Sequence, residues 1–159
     1  MKSMNILFKW GVLMICMFSV TACIFGAEKI DRDKILSNDS EWKEVYDDFV
    51  IEEDVIDSLK AKIGDNLKID VYLGLWCGDS MNNVPPFIKI MDNINEAGKI
   101  TVNYYTVERK PNRETKYYVE EKKVERVPTF IFYRDDKEIG RIIENPSTSM
   151  AEDFLEIII

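Results

Sequence analysis

The feature that most restricts the fold of this chain is the run at residues 68–75, Lys-Ile-Asp-Val-Tyr-Leu-Gly-Leu, which is apolar, partly β-branched and of strand length. Such a run fits a central strand buried by layers on both faces. The segments around it supply those layers. Upstream, Trp42, Val45, Tyr46 and Phe49 recur at helical spacing. After a break near Val50-Ile51 a second helical set follows at Val55, Ile56, Leu59 and Ile63, with Gly64 as a natural stop. Downstream, Phe87, Ile90, Met91 and Ile94 form the apolar face of a helix closed by Gly98. Pro85-Pro86 falls within or at the start of that helix and must kink or restart it.

Residues 100–107 read as another strand, followed by a charged loop around Lys110-Pro111-Asn112 and a short helix carrying Tyr117, Tyr118 and Val119. The runs at residues 129–133 and 138–144 are strands whose short connection, Arg134-Asp135-Asp136-Lys137, makes them an antiparallel hairpin. A last helix begins with a capping-box pattern, Ser149 followed by Glu152, and buries Phe154, Leu155 and Ile158. The order is helix, strand, helix, strand, helix, strand, strand, helix. This is an α/β protein with a central mixed sheet flanked by helices, ending in a β-hairpin and a helix.

Residues 1–27 have a different character. Lys2 and Lys9 are the only charges, and an uncharged apolar run covers residues 10–27. A basic segment, an apolar segment and then small residues is the layout of a secretory signal. Val20-Thr21-Ala22-Cys23 resembles the lipobox of bacterial lipoproteins, in which the signal is cut before a cysteine that then carries the lipid. The organisation expected is a signal peptide over 1–22, a lipid-attachment site at Cys23 with a tether to about residue 40, and a folded domain over 41–159. The protein is thereby placed in the cell envelope, held to a membrane on its extracytoplasmic side. An uncleaved membrane anchor is the competing reading of the same segment. Cleavage would discard Cys16 and modify Cys23, leaving Cys77 as the sole free thiol. It would also remove Lys2 and Lys9 and no acid, taking the net charge from −8 to −10.

The chain has no histidine, so an imidazole base, a histidine-bearing zinc site and a histidine-ligated haem are all excluded. One thiol with nearby methionines such as Met81 makes a poor copper ligand set, and no metal or cofactor is expected. The negative charge argues against nucleic acid as a partner, because phosphates require a positive face.

What remains is the segment Trp76-Cys77-Gly78-Asp79-Ser80, at the end of the buried strand and the start of a helix. Pro85 follows Ser80 by five residues, Val127-Pro128-Thr129 precedes the hairpin, and Gly140 lies in the last strand. These motifs, in this order, resemble the thioredoxin-like superfamily over roughly residues 42–159. The resemblance implies a catalytic pair of positions at Cys77 and Ser80, with Ser80 where thioredoxins carry their second cysteine. It also implies a substrate-binding surface at Trp76, Gly78, Asp79, Val127 and Pro128, with Pro128 in cis facing Cys77 and Trp76 shielding the sulfur. A cysteine at a helix N-terminus meets unpaired N–H groups and the positive end of the dipole, which favour thiolate, whereas Asp79 opposes it by like charge. Ser80 forms no disulfide, although it could hydrogen-bond the Cys77 sulfur. The buried acid that the family often has six positions before its first cysteine is replaced by Val71, with Asp70 expected on the opposite strand face.

Two readings follow. In the first, Cys77 attacks a substrate disulfide and an external thiol resolves the adduct, giving isomerase, deglutathionylase or mixed-disulfide capture activity, with disulfide-containing or extended peptide segments of envelope proteins as the partners expected. In the second, the groove beside Pro128 binds peptide without catalysis. The N-terminal reading has its own test: mass spectrometry of the membrane-purified protein should find Cys23 lipid-modified as the first residue, and an intact Met1 would contradict it.

Overall fold

The computed structural model describes residues 27–94, 99–110 and 119–159. The expectations for the signal, Cys16 and Cys23, for Gly98, for Pro111 and Asn112, and for Tyr117 and Tyr118 lie outside these residues. The elements are β1 (Glu28–Ile30), α1 (Arg32–Leu36), α2 (Ser40–Asp48), α3 (Glu53–Lys62), β2 (Leu67–Leu73), α4 (Gly78–Ile94), β3 (Ile100–Thr106), β4 (Thr129–Arg134), β5 (Lys137–Ile143) and α5 (Met150–Ile158). The strands form one mixed sheet in the order β1-β3-β2-β4-β5. β2 runs parallel to β3, while β1 pairs with β3, β4 with β2 and β5 with β4, all antiparallel. The expected α/β architecture with its closing hairpin and helix is therefore present.

Side-chain alternation along β2 divides the core. Leu67, Ile69, Val71 and Leu73 join the larger cluster, with Phe130 and Phe132 of β4 and the buried faces of α3, α4 and α5. Within it Phe87 lies 4.9 Å from Phe130 and Phe132 lies 5.0 Å from Phe154, ring to ring. Tyr72 faces the other way and joins Ile131, Tyr133, Ala27 and Val119. Asp70 is buried on that strand too, accepting a hydrogen bond from Asn103 Nδ2 at 2.9 Å.

Local chemistry explains the boundaries. Asp39 caps α2 by accepting the backbone N–H groups of Glu41 and Trp42, and Ser149 caps α5 by accepting that of Glu152. In the β4–β5 hairpin Asp135 and Asp136 both have positive φ, 50° and 61°, the backbone sign that a tight two-residue loop needs to follow the strand twist. Gly140 is required by close approach: a Cβ there would sit 2.9 Å from Ile157 Cγ2 of α5.

One alternative is decided and one expectation changes. α4 continues through Pro85 and Pro86 and does not restart there, both prolines being buried in its core-facing surface. The tether expected up to residue 40 is already part of the fold from Ala27 onward. β1 adds an edge strand through the pairs Glu28↔Thr106, Lys29↔Tyr105 and Ile30↔Tyr104, and α1 buries Ile35 completely. Arg32 of α1 also donates to Asp92 of α4 at 2.5 Å. Ile35→Ala should therefore lower unfolding free energy by about 2–5 kcal/mol, the usual cost of truncating a fully buried isoleucine. Chemical denaturation of the two proteins measures this, and an unchanged midpoint would return residues 28–40 to the role of a tether.

Candidate active site

The site is built on the connection between β2 and α4. Gly74 ends the strand run and lies directly under the indole of Trp76, where an added Cβ would be 2.8 Å from Trp76 Cε2. Cys77 N–H then donates to Gly74 O at 2.9 Å, closing a tight turn. Met81 N–H donates to Cys77 O at 3.0 Å, the first hydrogen bond of α4, so Cys77 occupies the cap of that helix. Its thiol is half-buried and free.

Across the turn stands the segment before β4. The Val127-Pro128 peptide bond is cis. Val127 O lies 3.3 Å from Cys77 Sγ and accepts its thiol hydrogen bond, so Cys77, Val127 and Pro128, far apart in sequence, meet at one place. The segment is fastened on both sides. Thr129 Oγ1 donates to Arg126 O at 2.6 Å, Glu144 N–H donates to Pro128 O at 2.7 Å, and Arg126 pairs with Glu144 at 2.7 Å. That hydrogen bond to Glu144 raises the Arg126 guanidinium above its ordinary range.

The remaining expected residues divide by role. Gly78 has open space where a Cβ would be. Asp79 is half-buried, and its carbonyl accepts from Asn83 Nδ2 at 3.0 Å. Asn83 also reaches Asn145 Oδ1 after β5 at 3.0 Å, a positioning contact not foreseen from the sequence. Trp76 is exposed over about half of its surface, at 45%, and its Nε1 donates to Val107 O at 2.8 Å.

Ser80 makes a different hydrogen bond from the one to Cys77 that its position offers. Its side chain is fully buried, and its Oγ accepts the N–H of Gly74 at 3.1 Å, with no hydrogen bond to Cys77 Sγ. The hydroxyl fastens the strand end to the first turn of α4, a structural contact. The missing buried acid is as read: Val71 packs in the apolar core, and Asp70 belongs to the other face. No cluster of potential metal ligands occurs among the described residues.

A family model described as thioredoxin matches residues 27–153. The chain belongs to the thioredoxin family. The match begins at β1, in agreement with the folded N-terminal segment and earlier than residue 42. Among solved structures, a protein of unknown function from Pseudomonas aeruginosa aligns with a TM-score of 0.63 at 12% identity, covering 82% of this chain and 92% of that one. An HIV epitope scaffold aligns with a TM-score of 0.61 at 12% identity over the same shares. Thioredoxin from Fasciola hepatica is 19% identical with a TM-score of 0.43, covering 65% of this chain and 88% of that one. The first two likenesses show a shared fold. No curated protein matches the chain.

Proposed function

We propose that this thioredoxin-family protein is a lipid-anchored envelope protein that exchanges disulfides through a single thiol, Cys77. The observation that supports it most is the meeting of a half-buried free thiol with the carbonyl of Val127 beside cis Pro128, next to open space over Gly78. An extended peptide lying along Val127 would bring its disulfide to Cys77.

In the first step the Cys77 proton leaves to solvent and the thiolate attacks one sulfur of the substrate disulfide. A Cys77–substrate disulfide forms, the substrate's own S–S bond breaks, and its other sulfur departs as thiolate. In the second step an external thiol, as thiolate, attacks the adduct. Attack on the substrate sulfur returns Cys77 as thiolate and leaves the substrate joined to the external thiol; attack on that sulfur by a different cysteine thiolate of the substrate also returns Cys77 and gives an isomerised disulfide. Neither route changes the total number of disulfides, which suits isomerisation and deglutathionylation. Net two-electron reduction by this chain alone is not available, because Ser80 supplies no second sulfur. The partners proposed are disulfide-bearing or extended segments of envelope proteins, an external thiol and, through lipidated Cys23, a membrane.

The decisive assay uses the full chain in detergent with Cys16 and Cys23 replaced by serine. Cys77→Ser should abolish covalent capture of a disulfide peptide. Ser80→Cys should add dithiothreitol-dependent insulin reduction that the parent lacks. If parent and Cys77→Ser are indistinguishable in capture while both bind peptide, the groove is a non-catalytic binding module.

A further inference from the structure

The Trp76 indole carries a second contact besides its bond to Val107. The guanidinium of Arg109 lies over its ring, 5.4 Å from the centroid. Val107 and Arg109 both follow β3, which runs parallel to β2 in the register Leu73↔Thr106. The ends of the two strands therefore deliver Arg109 to the turn that holds Cys77. A stacked guanidinium uses its face, so its N–H edges stay open for a forked bond to a carboxylate. Nothing among the described residues takes them. Arg32 pairs with Asp92, Arg126 with Glu144, Arg141 with Glu138, and Arg134 donates to Ile158 O, whereas Arg109 is exposed and makes no ion pair or hydrogen bond among these residues.

We propose that Arg109 is a specificity-determining residue, selecting disulfide partners that carry a carboxylate beside the cysteine that Cys77 attacks. This rests on the disulfide-exchange reading above. The chain's overall negative charge, −8, would by itself favour basic partners. At physiological ionic strength, however, charges beyond about 8 Å are largely screened, so a cation in contact outweighs the distant acids. Asp79, two residues beyond Cys77, and Glu108, next to Arg109, are the nearest opposing charges in sequence. Glu108 is followed by Arg109 and Lys110, so the local balance there stays positive, whereas Asp79 has no cation beside it in sequence. Asp79 disfavours a carboxylate on the α4 side and leaves the Trp76 side as the place for one.

The test uses the full chain with Cys16 and Cys23 replaced by serine and three short capped peptides. Each bears one cysteine as a neutral 2-thiopyridyl disulfide, flanked by Glu, Gln or Lys. Attack of Cys77 on the peptide sulfur forms the mixed disulfide and releases pyridine-2-thione, whose appearance gives the second-order rate. The Glu peptide should react about 2- to 5-fold faster than the Gln peptide at low salt, the range expected for an exposed ion pair. The preference should shrink with added salt, vanish in Arg109→Met, which keeps an apolar stem against the indole, and persist in Arg109→Lys. Equal Glu and Gln rates in the parent, or a preference surviving in Arg109→Met, overturn the inference alone. If no peptide reacts although iodoacetamide alkylates Cys77 of the folded protein, the exchange reading fails and this inference falls with it.

Discussion

A buried hydrogen bond from the Gly74 N–H to the Ser80 hydroxyl fixes the geometry on which the whole site depends. It joins the last turn of a core strand to the first turn of the longest described helix, and Leu75 through Asp79 lie within the loop it closes. Both partners are buried, so removing the hydroxyl would leave a backbone donor without water or an acceptor, at a cost of about 1–3 kcal/mol. Trp76 needs the small Gly74 beneath it, and Cys77 needs the helix to begin where this bond begins it. The Ser80 hydroxyl thus contributes to architecture, and in the proposed function the chemistry falls to the Cys77 sulfur alone.

The sheet completes the site from two sides. β4, antiparallel to β2, carries the cis Val127-Pro128 segment to the thiol, and the Arg126–Glu144 and Glu144–Pro128 bonds fasten it to the end of β5. β3, parallel to β2, carries Val107 and Arg109 to the indole. A nucleophile, a backbone acceptor for an extended chain and an exposed cation therefore converge from three segments. An exposed ion pair contributes little, so in the proposed function Arg109 would tune partner choice and Cys77 would decide whether exchange happens at all.

Much of this was legible in the sequence because it depends on local pattern. The apolar run of β2, the two-residue Asp135-Asp136 turn and the Ser149 cap are set by neighbours in the chain. The motif at Cys77 and the proline at 128 gave the site by resemblance. The N-terminal elements were missed for a physical reason. β1 has three residues with Ile30 as its one apolar side chain, and α1 has five; both are held by tertiary pairing with β3 and α4 and carry no periodicity of their own. The partner of Ser80 was equally invisible, since a hydroxyl near both a thiol and a strand end has two candidate bonds until the backbone is placed. The contact of Arg109 with Trp76 required the knowledge that β2 and β3 are parallel neighbours, which the strand, helix, strand order suggested but did not fix.

The central claim is a division of labour, with Ser80 holding the turn and Cys77 alone performing exchange. Ser80→Ala tests it most directly when unfolding free energy and Cys77 capture of a thiopyridyl peptide are measured on the same preparation. The account predicts a loss of about 1–3 kcal/mol from the unsatisfied Gly74 N–H, with capture per folded molecule retained. Unchanged stability together with lost capture would contradict it, and would make the Ser80 hydroxyl a partner of the sulfur.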